Sequence, residues 1–251
     1  MNDPFSLSVP LNPDQLRIVE HLKGPALVIA GAGSGKTRVI TERVAHLIRT
    51  GTPASSILLL TFTNKAAKEM SLRAARQQGV DQEKQKILNG TFHSMASRFL
   101  RGYAKLIRYE NHFSILDSSD SRDLIKASIA EVVGKPGRHF PKASVLSNVY
   151  SLAFNRQCNA ESIRAQPYVQ RTFNLEDLLL KDYPHLEEHS EALLAILKRY
   201  RQKKRVCQSM DFDDLLENWL ELLLGHGKGL TLKQQLNYIL VDEYQDTNQV
   251  Q

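Results

Sequence analysis

Three short runs of apolar residues stand out along the chain: Ala26-Leu27-Val28-Ile29-Ala30, which ends in a glycine-rich turn, Ile57 to Phe62, and Tyr238 to Val241. Near-continuous apolar runs of this length predict strands covered on both faces, as in a parallel sheet. Between and beside them the apolar positions recur at helical spacing. Ile40, Val44, Leu47 and Ile48 form one stripe, and Ala66, Ala67, Met70 and Ala74 a second. Met95, Ala96, Phe99, Leu100, Tyr103, Leu106 and Ile107 form a third, and Phe212, Leu215, Leu216, Trp219, Leu220 and Leu223 a fourth. Each stripe has polar residues opposite it, the pattern of a helix with one face in a core. Strand alternating with helix at both ends of the chain predicts an α/β domain built with right-handed crossovers.

The middle of the chain has a different rhythm. From about Tyr109 to about Arg205 the patterns are mostly helical, punctuated by Pro136-Gly137, Pro141, Pro167 and Pro184, with Ser114-Ile115-Leu116 as one short strand. This predicts an α-helical insertion over 109–205 inside an α/β domain whose first segment is 1–108 and whose return is 206–251. A chain of 251 residues has room for one large or two modest domains. Its 42% hydrophobic and 24% charged content is that of a soluble globular protein. Met1-Asn2-Asp3-Pro4 has no basic segment followed by an apolar one, and Ile57-Leu58-Leu59-Leu60 is far too short to cross a bilayer. Cys158 and Cys207 follow no metal-ligand spacing, so the expectation is two reduced thiols in a cytoplasmic protein. The net charge of +6 permits a polyanionic partner without identifying one.

Chemistry enters at Ala30-Gly31-Ala32-Gly33-Ser34-Gly35-Lys36-Thr37, between the first expected strand and the first amphipathic helix. This is the setting of a P-loop. Glycines let the backbone curl so that the N–H groups of Ala32, Gly33, Ser34 and Gly35 turn inward toward phosphate oxygens, and the helix N-terminus adds partial positive charge. Lys36 is placed to reach the β- and γ-phosphates, and the Thr37 hydroxyl to hold Mg²⁺. Ala30 stands where the usual pattern has glycine, which is tolerable in strand geometry. The complementary half is Tyr238-Ile239-Leu240-Val241-Asp242-Glu243, an apolar strand that delivers two carboxylates to its C-terminal edge. Asp242 is the candidate Mg²⁺ ligand and Glu243 the candidate acceptor of a proton from the attacking water. Acidic residues also end strands as solvated turns, so this half acquires its meaning from the P-loop.

At this point the chain resembles the UvrD/PcrA/Rep-type superfamily 1 helicases. Gly31 to Arg38 is similar to their first motif, where alanine is common at the position of Ala30. Thr61-Phe62-Thr63-Asn64-Lys65-Ala66-Ala67-Lys68-Glu69-Met70 resembles motif Ia, and Gly90-Thr91-Phe92-His93-Ser94 motif Ib. Met210-Asp211-Phe212-Asp213-Asp214-Leu215-Leu216 resembles the segment before motif II, and Val241-Asp242-Glu243-Tyr244-Gln245-Asp246-Thr247-Asn248 motif II itself. Asn12-Pro13-Asp14-Gln15 resembles the Q motif. The resemblance implies a P-loop RecA-like parallel-sheet domain interrupted by an α-helical subdomain. It also implies ATP and Mg²⁺ as cofactors, and single-stranded DNA and duplex junctions as substrates.

Several roles are carried over with alternatives open. Gln15 resembles the glutamine that hydrogen-bonds adenine; by local chemistry it is also the far partner of a capping box opened by Asn12. Arg38 resembles an arginine beside the base or ribose, or is a solvated helix cation. Phe62 is placed to stack on a DNA base, or packs in the core. Thr63, Asn64, Thr91 and His93 resemble positions that touch the DNA backbone, His93 being as compatible with a structural role. Asp211, Asp213 and Asp214 read as helix capping rather than a metal site. The basic run Lys198 to Arg205 is either a DNA-facing helix or a solvated face.

The expectation is therefore an ATP-dependent helicase or translocase on single-stranded DNA, with 3′ to 5′ polarity and a place in DNA repair implied by the resemblance alone. The helicase arm of a RecB/AddA-type nuclease complex and a nucleotide-regulated DNA-binding module without turnover are the alternatives. The end at Gln249-Val250-Gln251, directly after motif II, adds the expectation of a truncated motor, inactive in unwinding, whose first and last strands lack their usual neighbour.

Overall fold

The computed structural model describes residues 10–78, 87–157, 175–225 and 234–251. Met1 to Pro4, Cys158 and Pro167 lie outside the described residues, as does the side chain of Ala74. The chain forms a mixed helix and parallel-sheet structure that divides into two compact units. One comprises Met1–Thr91 and Gln234–Gln245, the other Phe92–Lys233 and Asp246–Gln251.

The first unit begins with α1 (Pro13–Glu20) and α2 (Lys36–Arg49). It continues through β1 (Ile57–Thr61), α3 (Asn64–Gln78) and β2 (Leu88–Thr91), and is completed by β5 (Tyr238–Val241). The sheet order is β2-β1-β5, with both pairings parallel. All five residues of β1 are buried, as a continuous apolar run between two neighbours demands. Val44, Leu47, Ile57, Leu59, Met70 and Leu240 share one core, so the stripes read in α2 and α3 do cover the sheet. Arg43 ties α1 to α2 by donating to the Ile18 carbonyl at 2.7 Å.

One expected strand does not form. Ala26–Ala30 carries no ladder and is exposed, Ile29 at 90% and Leu27 at 71%. An apolar run marks a segment suited to burial, but a strand exists only where a neighbour supplies backbone partners. Among the described residues the sheet ends at β5, whose Ile239 is itself 61% exposed.

The second unit contains α4 (Phe92–Tyr103), β3 (Ser114–Ile115), α5 (Ser118–Val132) and α6 (Ala143–Gln157). After these come α7 (Leu175–Asp182), α8 (Ser190–Val206), β4 (Ser209–Met210) and α9 (Phe212–Leu224). The third apolar stripe becomes α4 plus a 3₁₀ turn over Ala104–Ile107, closed by Arg108 with φ of 61°. Phe99 of α4 stacks on Trp219 of α9 at 5.8 Å between centroids. The expected short strand at Ser114 pairs in parallel with β4. Ile125, Leu146, Val149, Leu179, Leu193 and Ile196 are among the residues that make the core of α5 to α8. No helix among the described residues is long and apolar enough to cross a membrane.

The basic run on α8 is divided: Lys198, Arg199 and Gln202 are exposed, whereas Arg201 and Lys204 are buried. Arg199 and Lys203 both pair with Glu131, Arg201 bonds Glu217 in the interior at 3.2 Å, and Arg205 donates to the Ile107 carbonyl at 2.7 Å while lying over Tyr109. Lys204 is fully buried. Its ammonium meets Asp211 and Asp214 (the latter at 2.6 Å) and the Tyr150 hydroxyl at 3.1 Å, and it lies over the Tyr200 ring. Asp211 caps α9 reciprocally with Asp214, and accepts from the Tyr200 hydroxyl at 2.7 Å. One cation serves two carboxylates, so they separate in acidity. Lys204 and the hydrogen bonds hold Asp211 below the usual carboxylate range, whereas burial and the charge of Asp211 push Asp214 up to about 7.

Removing the shared cation leaves two buried carboxylates facing each other. Lys204→Met is expected to destabilise the helical unit by about 3–5 kcal/mol in urea denaturation at pH 8. In the variant both folded-state carboxyl pKa values lie above their unfolded values, so its stability falls as pH rises. The deficit relative to the wild type is therefore expected to shrink toward pH 5. A deficit that stays constant across this window would show that the cluster does not titrate as a unit.

Candidate functional site: a phosphate-binding loop facing two carboxylates

The candidate nucleotide site lies within the first unit. The loop Gly31–Gly35 makes a tight turn in which Ser34 N–H and Oγ both donate to the Gly31 carbonyl, at 3.4 and 2.7 Å. Gly33 has φ of 76° and Gly35, the residue capping α2, has φ of 87°. Both lie in the left-handed region that side chains avoid. Helix α2 then begins at Lys36, so its N-terminus opens at the end of the loop. The Lys36 ammonium folds back on the loop's entry and donates to the carbonyls of Ala30 at 3.1 Å and Gly31 at 3.3 Å. Thr37 and Arg38 occupy the next two positions, both half-buried.

Gln15 reaches this loop from α1. Its side-chain oxygen accepts from Asn12 N–H at 3.0 Å while Asn12 caps Gln15 N–H at 2.8 Å, so the capping box is present. The amide nitrogen donates to the Ser34 carbonyl at 3.0 Å. A primary amide has two N–H groups and two acceptor lone pairs, so these contacts leave one of each.

The carboxylates arrive on β5. The β1–β5 ladder continues one step past the strand, where Asp242 N–H donates to the Leu60 carbonyl at 2.9 Å. Asp242 is buried, and its carboxyl is raised above its ordinary value. Burial is the larger cause and the charge of Glu243 the second, while the charge of Lys36 opposes both. Lys36 and Asp242 therefore sense each other across the loop. Glu243 is exposed and has φ of 51°, a conformation rarely adopted by a residue with a side chain. Gln245 donates its amide to the Glu243 carboxylate. Gln245 lies in the segment that resembles motif II but has no role assigned from sequence, and Arg43 carries no local pattern beyond ordinary helix polarity.

The remaining candidates separate. Phe62 follows β1 and is 37% exposed, so it is no core residue. Thr63 accepts from Ala66 N–H at 3.1 Å and thereby caps α3, with Asn64 exposed beside it. Thr91 ends β2 in register with Thr61, at the same sheet edge as Phe62. His93 belongs to the second unit, where its ring meets Phe212 edge-on at 5.6 Å and burial lowers its pKa.

The profile of the UvrD/REP helicase N-terminal domain matches residues 11–251. The chain belongs to this helicase family. It is 35% identical over 96% of its length to the ATP-dependent DNA helicase PcrA of Staphylococcus epidermidis, of which it covers 30%. It is 35% identical over 96% of its length to the ATP-dependent DNA helicase UvrD1 of Mycobacterium leprae, of which it covers 29%, and 34% identical to PcrA of Leuconostoc citreum. The chain thus spans about 30% of the length of these curated relatives. Within this UvrD/REP-type domain, the loop, the two carboxylates and Gln15 form one cluster.

The loop geometry makes a sharp contrast between glycines. A Cβ at Gly35 meets Gln15 Nε2 at 3.4 Å on a left-handed backbone, whereas one at Gly31 meets nothing within 4 Å and has no such backbone. Gly35→Ala is expected to cost about 1–2 kcal/mol in thermal unfolding, and Gly31→Ala much less. Equal effects would refute the loop conformation.

Proposed function

We propose that this domain binds and hydrolyses ATP to drive translocation along single-stranded DNA and strand separation at duplex junctions. The observation that carries the reading is the left-handed glycine loop opening helix α2, with Lys36 close enough to Asp242 to oppose its rise in pKa. In this reading the first unit is a RecA-like P-loop domain and the helical residues, about 109–205, are a subdomain inserted into it. The relatives' names, ATP-dependent DNA helicases, agree with it. The 3′ to 5′ polarity, a role in DNA repair and a cytoplasmic location follow from the family resemblance.

The residues present fit a nucleotide with its divalent cation. Asp242 and Glu243 place two carboxylates side by side, one of them desolvated, and a divalent ion offsets that repulsion. Thr37 and Asp242 would hold Mg²⁺, which when bound neutralises charge on the phosphate oxygens. The N–H groups of Ala32 to Gly35 and the start of α2 cradle phosphate, and Lys36 leaves its loop carbonyls to meet the outer phosphates. Glu243 accepts the proton of the attacking water, held in place by Gln245. Gln15 keeps its cap and offers its remaining donor and acceptor to adenine, while Arg38 lies near the base or ribose. Phe62 stacks on a base at the sheet edge, and Thr63, Asn64, Thr91 and His93 contact the DNA backbone.

In the full-length gene product, Lys36→Ala is expected to abolish tight binding of a fluorescent ATP analogue. Glu243→Gln is expected to retain binding and to slow phosphate release by about 10²–10⁴-fold. Hydrolysis at the normal rate in Glu243→Gln would overturn the assignment of the base.

Exposure of Phe62 predicts that Phe62→Ala leaves the melting curve near wild type and weakens binding of single-stranded DNA by about 1–3 kcal/mol. A large fall in melting temperature would refute the stacking role.

A further inference from the structure

Helix α1 carries Gln15 to the loop, and how α1 is held decides where that amide stands. The helix has eight residues, too few to be stable alone, and only Val19 on it is buried. Gln15 and Val19 are four apart and so share a face. The N-terminal end is closed by the Asn12–Gln15 capping box. At the other end a cation comes from α2. Arg43 Nη1 donates to the Ile18 carbonyl at 2.7 Å and to the Val19 carbonyl at 3.4 Å, and His21 N–H returns to the Ile18 carbonyl at 3.3 Å. A cation on the last carbonyls of a helix also meets the negative end of its dipole. The guanidinium is half-buried, and burial lowers its pKa while the neighbouring Tyr238 of β5 opposes the shift. Gln15, the loop, Arg43 and Tyr238 all belong to the first unit.

The Gln15 amide has a fixed sense. Its oxygen accepts from Asn12 N–H and its nitrogen donates to the Ser34 carbonyl, so it cannot turn over without losing both bonds. One acceptor site on the oxygen and one N–H remain. Adenine offers a donor at N6 beside an acceptor at N7, which complements that pair, whereas guanine offers acceptors at both O6 and N7. A fixed amide therefore rejects guanine, and an amide free to swing does not. The Arg43 bond lies about 5 Å from Gln15, one helical turn along α1. We propose that Arg43 is a positioning residue for base recognition: by holding the C-terminal carbonyls of α1 against α2 it fixes the Gln15 amide at the loop, and so makes the site prefer adenine over guanine nucleotides. The attachment rests on the geometry, and its effect on selectivity rests on the adenine role proposed above for Gln15.

The test uses the full-length gene product, with ATP, GTP and inorganic tripolyphosphate as competitors of a fluorescent ATP analogue in the presence of Mg²⁺. Arg43→Met removes the donors and keeps an unbranched apolar stem. It is expected to speed hydrogen exchange in α1 by about 10-fold, with exchange in β1 unchanged. It is also expected to weaken ATP binding by about 5- to 10-fold, leaving GTP and tripolyphosphate within about twofold of wild type. Arg43→Lys, which keeps a cation for the same carbonyls, should restore most of both effects. The Gln15→Ala, Arg43→Met double variant should bind ATP no more weakly than Gln15→Ala alone. Unchanged exchange in α1 would overturn the attachment. Faster exchange with a wild-type ratio of ATP to GTP affinity would overturn the positioning role, as would an equal loss for tripolyphosphate, which has no base. A wild-type ratio in Gln15→Ala would instead overturn the adenine reading and the selectivity with it, while the exchange rates still decide the attachment.

Discussion

The parallel pairing of β1 with β5 is the constraint on which the nucleotide unit depends. Leu58 lies opposite Ile239 and Leu60 opposite Val241, and one further hydrogen bond fixes Asp242 against Leu60. That ladder places the two carboxylates at the same edge of the sheet from which Phe62 emerges. Parallel strands cannot be joined by a tight turn, so each pairing needs a crossover. For β1 and β2 it is α3. For the return to β5 the chain first passes through α4 to α9, and the helical unit is in this sense the connection that the sheet requires.

Electrostatics divides along the same line. In the nucleotide unit Lys36 donates to loop carbonyls, and Asp242 is raised by burial and by its neighbour. In the helical unit the charges are spent on architecture. Lys204, Asp211 and Asp214 close on one another in the interior, and Arg201 on Glu217. A buried group of this kind adds little net stability but is costly to break, which favours one arrangement of α8 against α9.

Much of this was legible in the residues. β1, β5 and the stripes on α2, α4 and α9 follow from apolar periodicity, which reports directly on which positions are covered. The loop at Gly31–Gly35 was readable because glycine best serves the left-handed backbone at Gly33 and Gly35. The failure at Ala26–Ala30 has a physical cause, since local hydrophobicity cannot report whether a partner strand is present. The burial of Arg201 and Lys204 within the basic run was not legible because their opposing charges, Asp214 and Glu217, lie on α9. Gln15 illustrates a third situation: the capping box was visible from spacing, but its contact with Ser34 needed the fold. The Asn155–Asn248 bond joins residues with no sequence relation at all.

The long interval between β1 and β5 also governs how the protein is made. Helical contacts between near neighbours in sequence form quickly, whereas closing a chain from residue 58 to residue 239 carries a large entropic cost before any pairing rewards it. During vectorial synthesis β1 and β2 emerge long before β5 exists, and the helical residues must leave the ribosome in between. The apolar edge of β1 is thus the last part of the sheet to be covered. In a nascent chain it is the surface most in need of protection from premature association.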